Sequence, residues 1–255
     1  MPDPSPARAA AFLGAIETHA VTDLQALLDG GLSAVQLLQG KLPVQWLLEM
    51  YMRSGRFPAC LRLLLQRGAS LSDPALAAVL LDDADLLRTA LRADPAARDR
   101  RHDLTSAFTP LHGATLLHVA AEYGNAAAAS VLLQAGADVQ ARAVQAADGG
   151  DGHTPLFHTV SSLLDHGAPV MHLLLAAGAR TDVCLPMLTW GRGFEWETTL
   201  FDVTPISYCQ AGLLPQVHRR EADVYRNLTA LLTAAGRPCQ AWSNVPNRYL
   251  APRPR

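Results

Sequence analysis

The chain has 255 residues, of which 49% are hydrophobic and 17% charged, so it can bury a substantial core as one elongated or two compact domains. A formal net charge of −2 provides no basic footprint for nucleic acid or for an acidic membrane, and we expect neither partner. No apolar run approaches the roughly 20 residues of a membrane span, and the N-terminal stretch lacks the pattern of a secretory signal.

The cysteines and the basic residues indicate the compartment. Cys60, Cys184, Cys209 and Cys239 lie far apart and show neither CxxC nor zinc-finger spacing, which favours free thiols in a reducing cytosol. Among the 21 Lys and Arg residues only Lys41 is a lysine, a bias typical of a GC-rich bacterial genome. We therefore expect a bacterial cytoplasmic protein without a cofactor.

The N-terminal part of the chain is expected to form three helix pairs. Residues 1–8 carry three prolines and predict a disordered tail. Apolar residues then recur at helical spacing over residues 9–31, 42–69 and 74–95. Thr22 with Asp23, and Asp73 further on, predict helix starts that are capped by side chains. A long linker, residues 96–113, follows.

The clearest pattern lies at residues 115–138, TLLHVAAEYGNAAAASVLLQAGAD. Apolar residues form two short blocks at helical spacing, with Gly124 and Asn125 between them and Gly136 after them. This arrangement predicts two amphipathic helices joined by a tight turn. Helices of roughly ten residues are not stable alone in water because nucleation is costly. The pair therefore needs neighbours on both sides.

The same stretch resembles an ankyrin repeat, whose signature opens T-P-L-H-x-A-A and closes with leucines and G-A-D. The matching positions are Thr115, Leu117, His118, Ala120, Ala121, Gly124, Leu132, Leu133, Gly136, Ala137 and Asp138. The one departure is Leu116, where proline is usual. The resemblance implies that Thr115 and His118 hydrogen-bond within the repeat and to a neighbouring loop, which makes His118 a structural residue.

The resemblance implies an all-α ankyrin-repeat solenoid of about six helix pairs, with extended hairpin or loop fingers, over residues 9–240. The three N-terminal pairs are then weak repeats, 114–140 and 153–182 are clear repeats, and 204–237 is an extended repeat. A proline-rich tail is expected at residues 241–255. Two insertions interrupt the pattern, TWGRGFEWET at 189–198 and GLLPQVHRRE at 212–221.

Ankyrin proteins usually grip a partner with their fingers and with the exposed face of each first helix. The resemblance thus implies partner-binding positions at Glu122, Tyr123, His158, Ser161 and Tyr208. The finger at 189–198 adds Trp190, Arg192, Phe194 and Trp196, a composition that is typical of a binding hot spot. An equally weighted alternative is that these rings form the core of an oversized hairpin.

The second insertion offers a further binding position, Arg219. With its neighbours His218 and Arg220 it is able to hold a carboxylate or a phosphate by charge-assisted hydrogen bonds. The favoured interpretation is that these residues begin a solvated helix, in which Glu221 suits the first turn.

The function that the sequence favours is non-catalytic binding of a protein partner by a monomer, which would neutralise a toxin or regulate an enzyme. The alternative is an enzyme or small-ligand binder with a pocket at the last insertion, bounded by Trp190, Glu197, Tyr208 and His218. In that case His218 with Glu197, Asp202 or Glu221 would supply acid–base chemistry. His153, His158, His166 and His172 with Cys184 lack the close spacing of a zinc site, so we expect no metal.

Overall fold

The computed structural model describes residues 5–106, 108–145 and 150–238. The predicted tail at 241–255, Cys239 and residues 1–4 of the predicted N-terminal tail lie outside this range. The described residues contain eleven α-helices, three short 3₁₀ helices and four strands. None of these helices is long and apolar enough to cross a membrane.

The helices follow one another in pairs for most of the chain. They are α1 (Pro6–Glu17), α2 (Val21–Asp29), α3 (Pro43–Glu49), α4 (Phe57–Gln66), α5 (Pro74–Leu80), α6 (Ala84–Ala93), α7 (Leu116–Glu122), α8 (Ala126–Gln134), α9 (Ala168–Ala176), α10 (Pro205–Ala211) and α11 (Glu221–Ala234). The 3₁₀ helices are Pro95–Asp99, Pro155–His158 and Leu163–Asp165. Because α1 begins at Pro6, residues 6–8 of the expected tail are helical.

Two antiparallel sheets of two strands each correct the expectation of an all-α chain. Strands β1 (His102–Leu104) and β2 (Leu111–Ala114) pair within the predicted linker. Strands β3 (Leu185–Trp190) and β4 (Thr198–Val203) form a hairpin whose register runs from Leu185 opposite Val203 to Trp190 opposite Thr198. The hairpin segments are rich in Thr and aromatic residues, which fit a pleated surface.

The helix pairs stack on their neighbours in two rows. In one row α5 contacts α7, α7 contacts the 3₁₀ helix Pro155–His158, and that helix contacts α10. In the other row α6, α8, α9 and α11 contact one another in turn. In the pair that contains α9, the first α-helix that was expected is replaced by the short 3₁₀ helix Pro155–His158. The row that contains α7 carries the functional site.

Helix starts show where local sequence decides the structure. Asp73 caps α5 as predicted, because its carboxylate accepts hydrogen bonds from the backbone N–H groups of Ala75 and Leu76. The predicted cap at Thr22 and Asp23 is wrong, since α2 already begins at Val21. The connection from α1 to α2 is short because His19 adopts a positive φ of 51° and so turns the chain sharply. Asp23 lies in the first turn of α2, where its negative charge is favourable.

The core between neighbouring pairs depends on small and amide side chains. Ala120 and Ala121 of α7 are fully buried, so the adjacent helix approaches closely. Asn125, in the turn between α7 and α8, donates a 2.7 Å hydrogen bond to the carbonyl of Val79 at the end of α5. The turn of one pair is thereby fixed to the preceding pair.

Candidate functional site

A buried carboxylate lies at the end of α7. Glu122 is 5% exposed, although a groove-lining residue was expected to face solvent. Its Oε2 accepts a 2.8 Å hydrogen bond from His158 Nδ1, and its Oε1 accepts a 3.0 Å hydrogen bond from Ser106. Arg53 Nε lies 3.4 Å from the same Oε1. Burying this carboxylate is tolerable because three polar groups surround it.

The cation of this site, Arg53, comes from the loop between α3 and α4. Its guanidinium lies over the ring of Tyr123, 4.4 Å from the ring centroid. Nη1 donates hydrogen bonds to the carbonyls of Met50 and Met52. The Nη2 atom is buried and has no hydrogen-bond partner among the described residues. The loop carbonyls thus hold Arg53 against α7 and leave Nη2, and Nε apart from its ion pair with Glu122, without a hydrogen bond.

The loop between β1 and β2 covers the expected groove. Ser106 binds Glu122, and Thr109 shares a 2.9 Å hydrogen bond with the hydroxyl of Tyr208. Phe108 stacks on Trp190 with 5.6 Å between ring centroids. Burial raises the pKa of Tyr208, so its hydroxyl stays protonated at neutral pH. This loop explains why Tyr208 is only 1% exposed.

A small cavity with room for about one water molecule remains between this loop and the helices. Its walls include Arg53, Phe108, Glu122, His158 and Ser161. Ser161 is 8% exposed, and its hydroxyl has no hydrogen-bond partner within the described part of the chain. The cavity is therefore polar on one side and aromatic on the other, with hydrogen-bonding capacity that the protein itself leaves unused.

Three buried histidines form a cluster, of which His158 lines this cavity. The rings of His118, His153 and His158 meet edge to face, with centroids between 4.7 and 5.8 Å apart. His118 Nδ1 accepts from the backbone N–H of Thr115, and its Nε2 donates to the carbonyl of His153. Burial and the neighbouring His158 lower the pKa of His118 to about 3, so this ring is neutral. These hydrogen bonds match the structural role expected for His118.

The aromatic residues of the β3–β4 hairpin divide into a core and a surface. Trp190 is 3% exposed and packs against both Phe108 and Trp196. Phe194 stacks on Trp196, with centroids 4.6 Å apart, but remains 43% exposed. Phe201 on β4 is 71% exposed. The alternative of a hairpin core therefore describes Trp190 and part of Trp196, while partner binding by the exposed rings stays a prediction.

The hairpin turn depends on a glycine. Gly191 has a φ of +70°, and a Cβ atom at this position would lie 1.9 Å from Cζ3 of Trp196. Only glycine gives both the backbone conformation and the room for this ring. Arg192 and Glu197 lie nearby on the exposed tip, where Glu197 accepts a hydrogen bond from the backbone N–H of Gly193.

Arg219 packs inward, unlike the solvated helix start that the sequence favoured. Its Nε donates a 2.8 Å hydrogen bond to the carbonyl of Ser161, and its Nη1 donates to the carbonyl of Val217. The guanidinium lies 5.4 Å from the ring centroid of Phe108 and 5.9 Å from that of Trp190. Burial lowers the pKa of Arg219, while Tyr208 and Glu122 oppose that shift.

The residues of the alternative pocket do not all meet at one place. Trp190 and Tyr208 are buried near the β1–β2 loop, whereas Glu197 and His218 are exposed. The other candidate acid–base residues, Asp202 on β4 and Glu221 at the start of α11, are exposed as well. Acid–base chemistry at these four exposed residues stays a prediction.

The histidines and cysteines considered as metal ligands form other contacts. In the part of the chain that the structure describes, no group of three His, Cys, Asp or Glu side chains is arranged to hold a metal ion. His166 forms a 2.6 Å hydrogen bond with the carbonyl of Tyr123, and His172 is exposed. The thiols of Cys60 and Cys209 are buried, which raises the pKa of Cys60 to about 11.

Four residues of the site were missed in the sequence: Arg53, Ser106, Phe108 and Thr109. Arg53 lies in a loop of a weakly matching pair, and the other three lie in the segment that was interpreted as a linker. The one available signal was that this segment contains Phe108 among polar residues, since a large aromatic side chain in a loop often packs against the core.

The comparisons with known proteins match one segment of the chain to a protein family. The ankyrin-repeat family model matches residues 112–143, which contain α7, α8 and the buried Glu122. A comparison with curated proteins finds no match.

Proposed function

We propose that this chain, an ankyrin-repeat protein by its segment 112–143, is a non-catalytic module that binds a protein partner. Ankyrin repeats generally mediate protein–protein interactions. The binding surface that we propose is the exposed aromatic part of the β3–β4 hairpin, because the groove beside α7 is covered. Arg192 at the tip belongs to this surface, whereas Trp190 and Tyr208 support it from beneath.

The observation that carries the proposal is the exposure of Phe194 and Phe201 on one hairpin. Phe194 is 43% exposed while its ring stacks on Trp196, and Phe201 is 71% exposed. A partner that covers both rings would remove this apolar surface from water, which favours binding. Aromatic residues on a rigid support are also typical of interface hot spots.

The remaining parts of the proposal concern the architecture and the setting. We take the stacked helix pairs as an ankyrin-repeat solenoid, with the hairpin as its finger. We place the protein in a bacterial cytoplasm as a monomer without a cofactor, in keeping with its arginine-rich composition and separate cysteines. A toxin that it neutralises, or an enzyme that it regulates, would meet the same surface.

The experiment compares two pairs of exposed apolar residues. The test variant is Phe194→Ser/Phe201→Ser, and the matched control is Val35→Ser/Leu37→Ser, which removes side chains that are 54% and 57% exposed far from the hairpin. Each chain is immobilised and incubated with a bacterial lysate. Bound proteins are identified by mass spectrometry, purified, and titrated against each chain by calorimetry.

We expect a partner that binds wild type and the control alike, and that binds the hairpin variant at least about ten-fold more weakly. Circular dichroism should show the same melting temperature for the test and control variants within a few degrees. A partner that binds the hairpin variant as tightly as wild type contradicts the proposal.

A further inference from the structure

Strand β4 forms an open edge of the hairpin sheet. Among the described residues this sheet has only two strands, so β4 pairs with β3 on one side and has no neighbouring strand on the other. Within the same part of the chain, the main chain of residues 198–201 forms no hydrogen bond outside the hairpin. We call these residues the β4 edge. An open edge presents a row of N–H and C=O groups with which another chain is able to pair.

The other strand of the hairpin is covered. Leu188, Thr189 and Trp190 of β3 are all buried, although neighbouring side chains of a strand point to opposite faces. On β4, by contrast, Thr199 and Phe201 are exposed. The edge that the hairpin leaves accessible is therefore that of β4.

The sequence of the β4 edge favours pairing. Its residues, TTLF, include no charged residue and no proline, which proteins commonly use to prevent pairing at an exposed edge. Threonine and phenylalanine are instead enriched in strands. Asp202, with a φ of +50°, bends the chain and ends the regular edge. The β4 edge is therefore short and suits one segment in an extended conformation.

The exposed rings lie on opposite faces of the hairpin. Thr198 pairs with Trp190, so these two side chains share one face, and Phe201 lies on the other face because side chains alternate along β4. Phe194 belongs to the face of Trp190, because it stacks on Trp196, which packs against Trp190 with 4.5 Å between ring centroids. A helix or a loop laid on one face would cover only one of the exposed rings. A strand paired with β4 directs alternate side chains to both faces, so one segment is able to contact both rings.

We infer that the protein partner adds an extended strand to the β4 edge. This inference rests on the proposed function and gives its mode of binding. The added strand forms main-chain hydrogen bonds with residues 198–201 and places alternate side chains beside Phe201 on one face and beside Leu200 on the other. Main-chain pairing supplies affinity, and the side-chain contacts select the sequence. The partner therefore presents an unpaired strand or an extended tail rich in β-branched or aromatic residues.

The first test uses random peptides displayed on phage as the probe. Peptides are selected on the immobilised full chain, synthesised, and added to the ¹⁵N-labelled chain, in which amide exchange is followed by NMR. In the free chain the amides of the β4 edge should alternate between slow exchange, where the N–H bonds to β3, and fast exchange, where it points outward. We expect bound peptides to have apolar residues at alternate positions and to slow the outward amides at least about ten-fold. Selection of no binding peptide, or binding that leaves the outward amides fast, overturns the inference.

A proline variant removes one outward donor. Neighbouring N–H groups of a strand point to opposite edges, so either Thr199 or Leu200 has its N–H outward, and exchange in the free chain identifies which. Proline is compatible with an edge strand at such a position. We expect Thr199→Pro or Leu200→Pro, whichever applies, to melt within a few degrees of wild type and to bind the selected peptide at least about ten-fold more weakly.

The matched control for the proline variant is valine at the same position, which keeps the N–H group and should bind the peptide as wild type does. A folded proline variant that binds as tightly as its valine control contradicts strand pairing. If proline disrupts the hairpin, the exchange of the outward amides in wild type decides the question.

The protein partner itself separates this inference from the proposed function. Weaker binding by Phe194→Ser and by Phe201→Ser, with slowed outward amides in the wild-type complex, supports both proposals. If the double serine variant loses the partner while the outward amides stay fast in the wild-type complex, the aromatic surface stands and strand addition is wrong. If the double variant keeps the partner and those amides are slowed, strand addition stands and the aromatic surface is wrong. A free chain that dimerises with slowed outward amides shows that a second copy occupies the β4 edge, which also overturns the inference.

Discussion

At the scale of single residues, Glu122 shows how a buried charge is made tolerable. Its carboxylate is held by Arg53, His158 and Ser106, which come from three different parts of the chain. Such a set contributes little net stability, because desolvation of the charges offsets their attraction. Its larger effect is on geometry, since it fixes the loop between α3 and α4 and the β1–β2 loop to the end of α7.

A double-mutant cycle tests this arrangement. Glu122→Gln leaves Arg53 buried without its carboxylate, so we expect a loss of about 3 kcal/mol in the free energy of unfolding. Arg53→Met in the same chain removes the stranded cation and should recover part of that loss. Urea unfolding of wild type, both single variants and the double variant gives the coupling. Strictly additive effects would show that the two side chains do not interact.

At the scale of elements, the β1–β2 loop holds the hairpin on the helices. Phe108 contacts Trp190, Trp196 and Arg219, so one loop side chain joins the turn end of the hairpin to the insertion before α11. The hairpin itself is only two strands, which are marginally stable in isolation. Its order therefore depends on this packing.

Phe108→Ala should consequently loosen the hairpin more than the helices. Loss of the ring leaves a void against Trp190, and we expect amides of β3 and β4 to exchange with deuterium at least about ten-fold faster than in wild type. Amides of α1 and α2 should keep their rates. Leu86→Ala, which truncates a side chain that is 51% exposed, is the control. Unchanged hairpin protection in Phe108→Ala would mean that other contacts hold it.

The sequence predicts elements that form within one short segment, but it does not predict contacts between distant segments. The pair α7–α8 follows from helical spacing, two glycines and a family signature that all lie within one short segment. The site joins residues that are far apart: Thr109 and Tyr208 are 99 positions apart, and Glu122 and His158 are 36 apart. Local periodicity carries no information on such contacts. The loop over the groove was missed for the same reason, and with it the burial of Tyr208.

For the whole molecule, buried neutral histidines make stability depend on pH. His19 is fully buried, and burial with the nearby Arg53 and Arg56 lowers its pKa to about 4. His118 is lowered to about 3 by burial and by His158, and the pKa of His153 is lowered as well. Their counterparts in the unfolded chain have a pKa of about 6.5. Between these values the unfolded chain binds more protons, so stability falls as pH decreases.

We expect His19 and His118 each to remove about 2 kcal/mol of stability between pH 7.5 and pH 5, because the unfolded imidazole is protonated there and the folded one is not. The melting temperature should therefore fall by about 10 °C over this range. His19→Asn cannot titrate and should reduce the fall, even if it is less stable at pH 7.5 through the loss of the hydrogen bond between His19 Nδ1 and Ser54. His172→Asn, at an exposed position, should melt with the pH dependence of wild type. A melting temperature that is constant from pH 7.5 to pH 5 would contradict burial of neutral histidines in the folded chain.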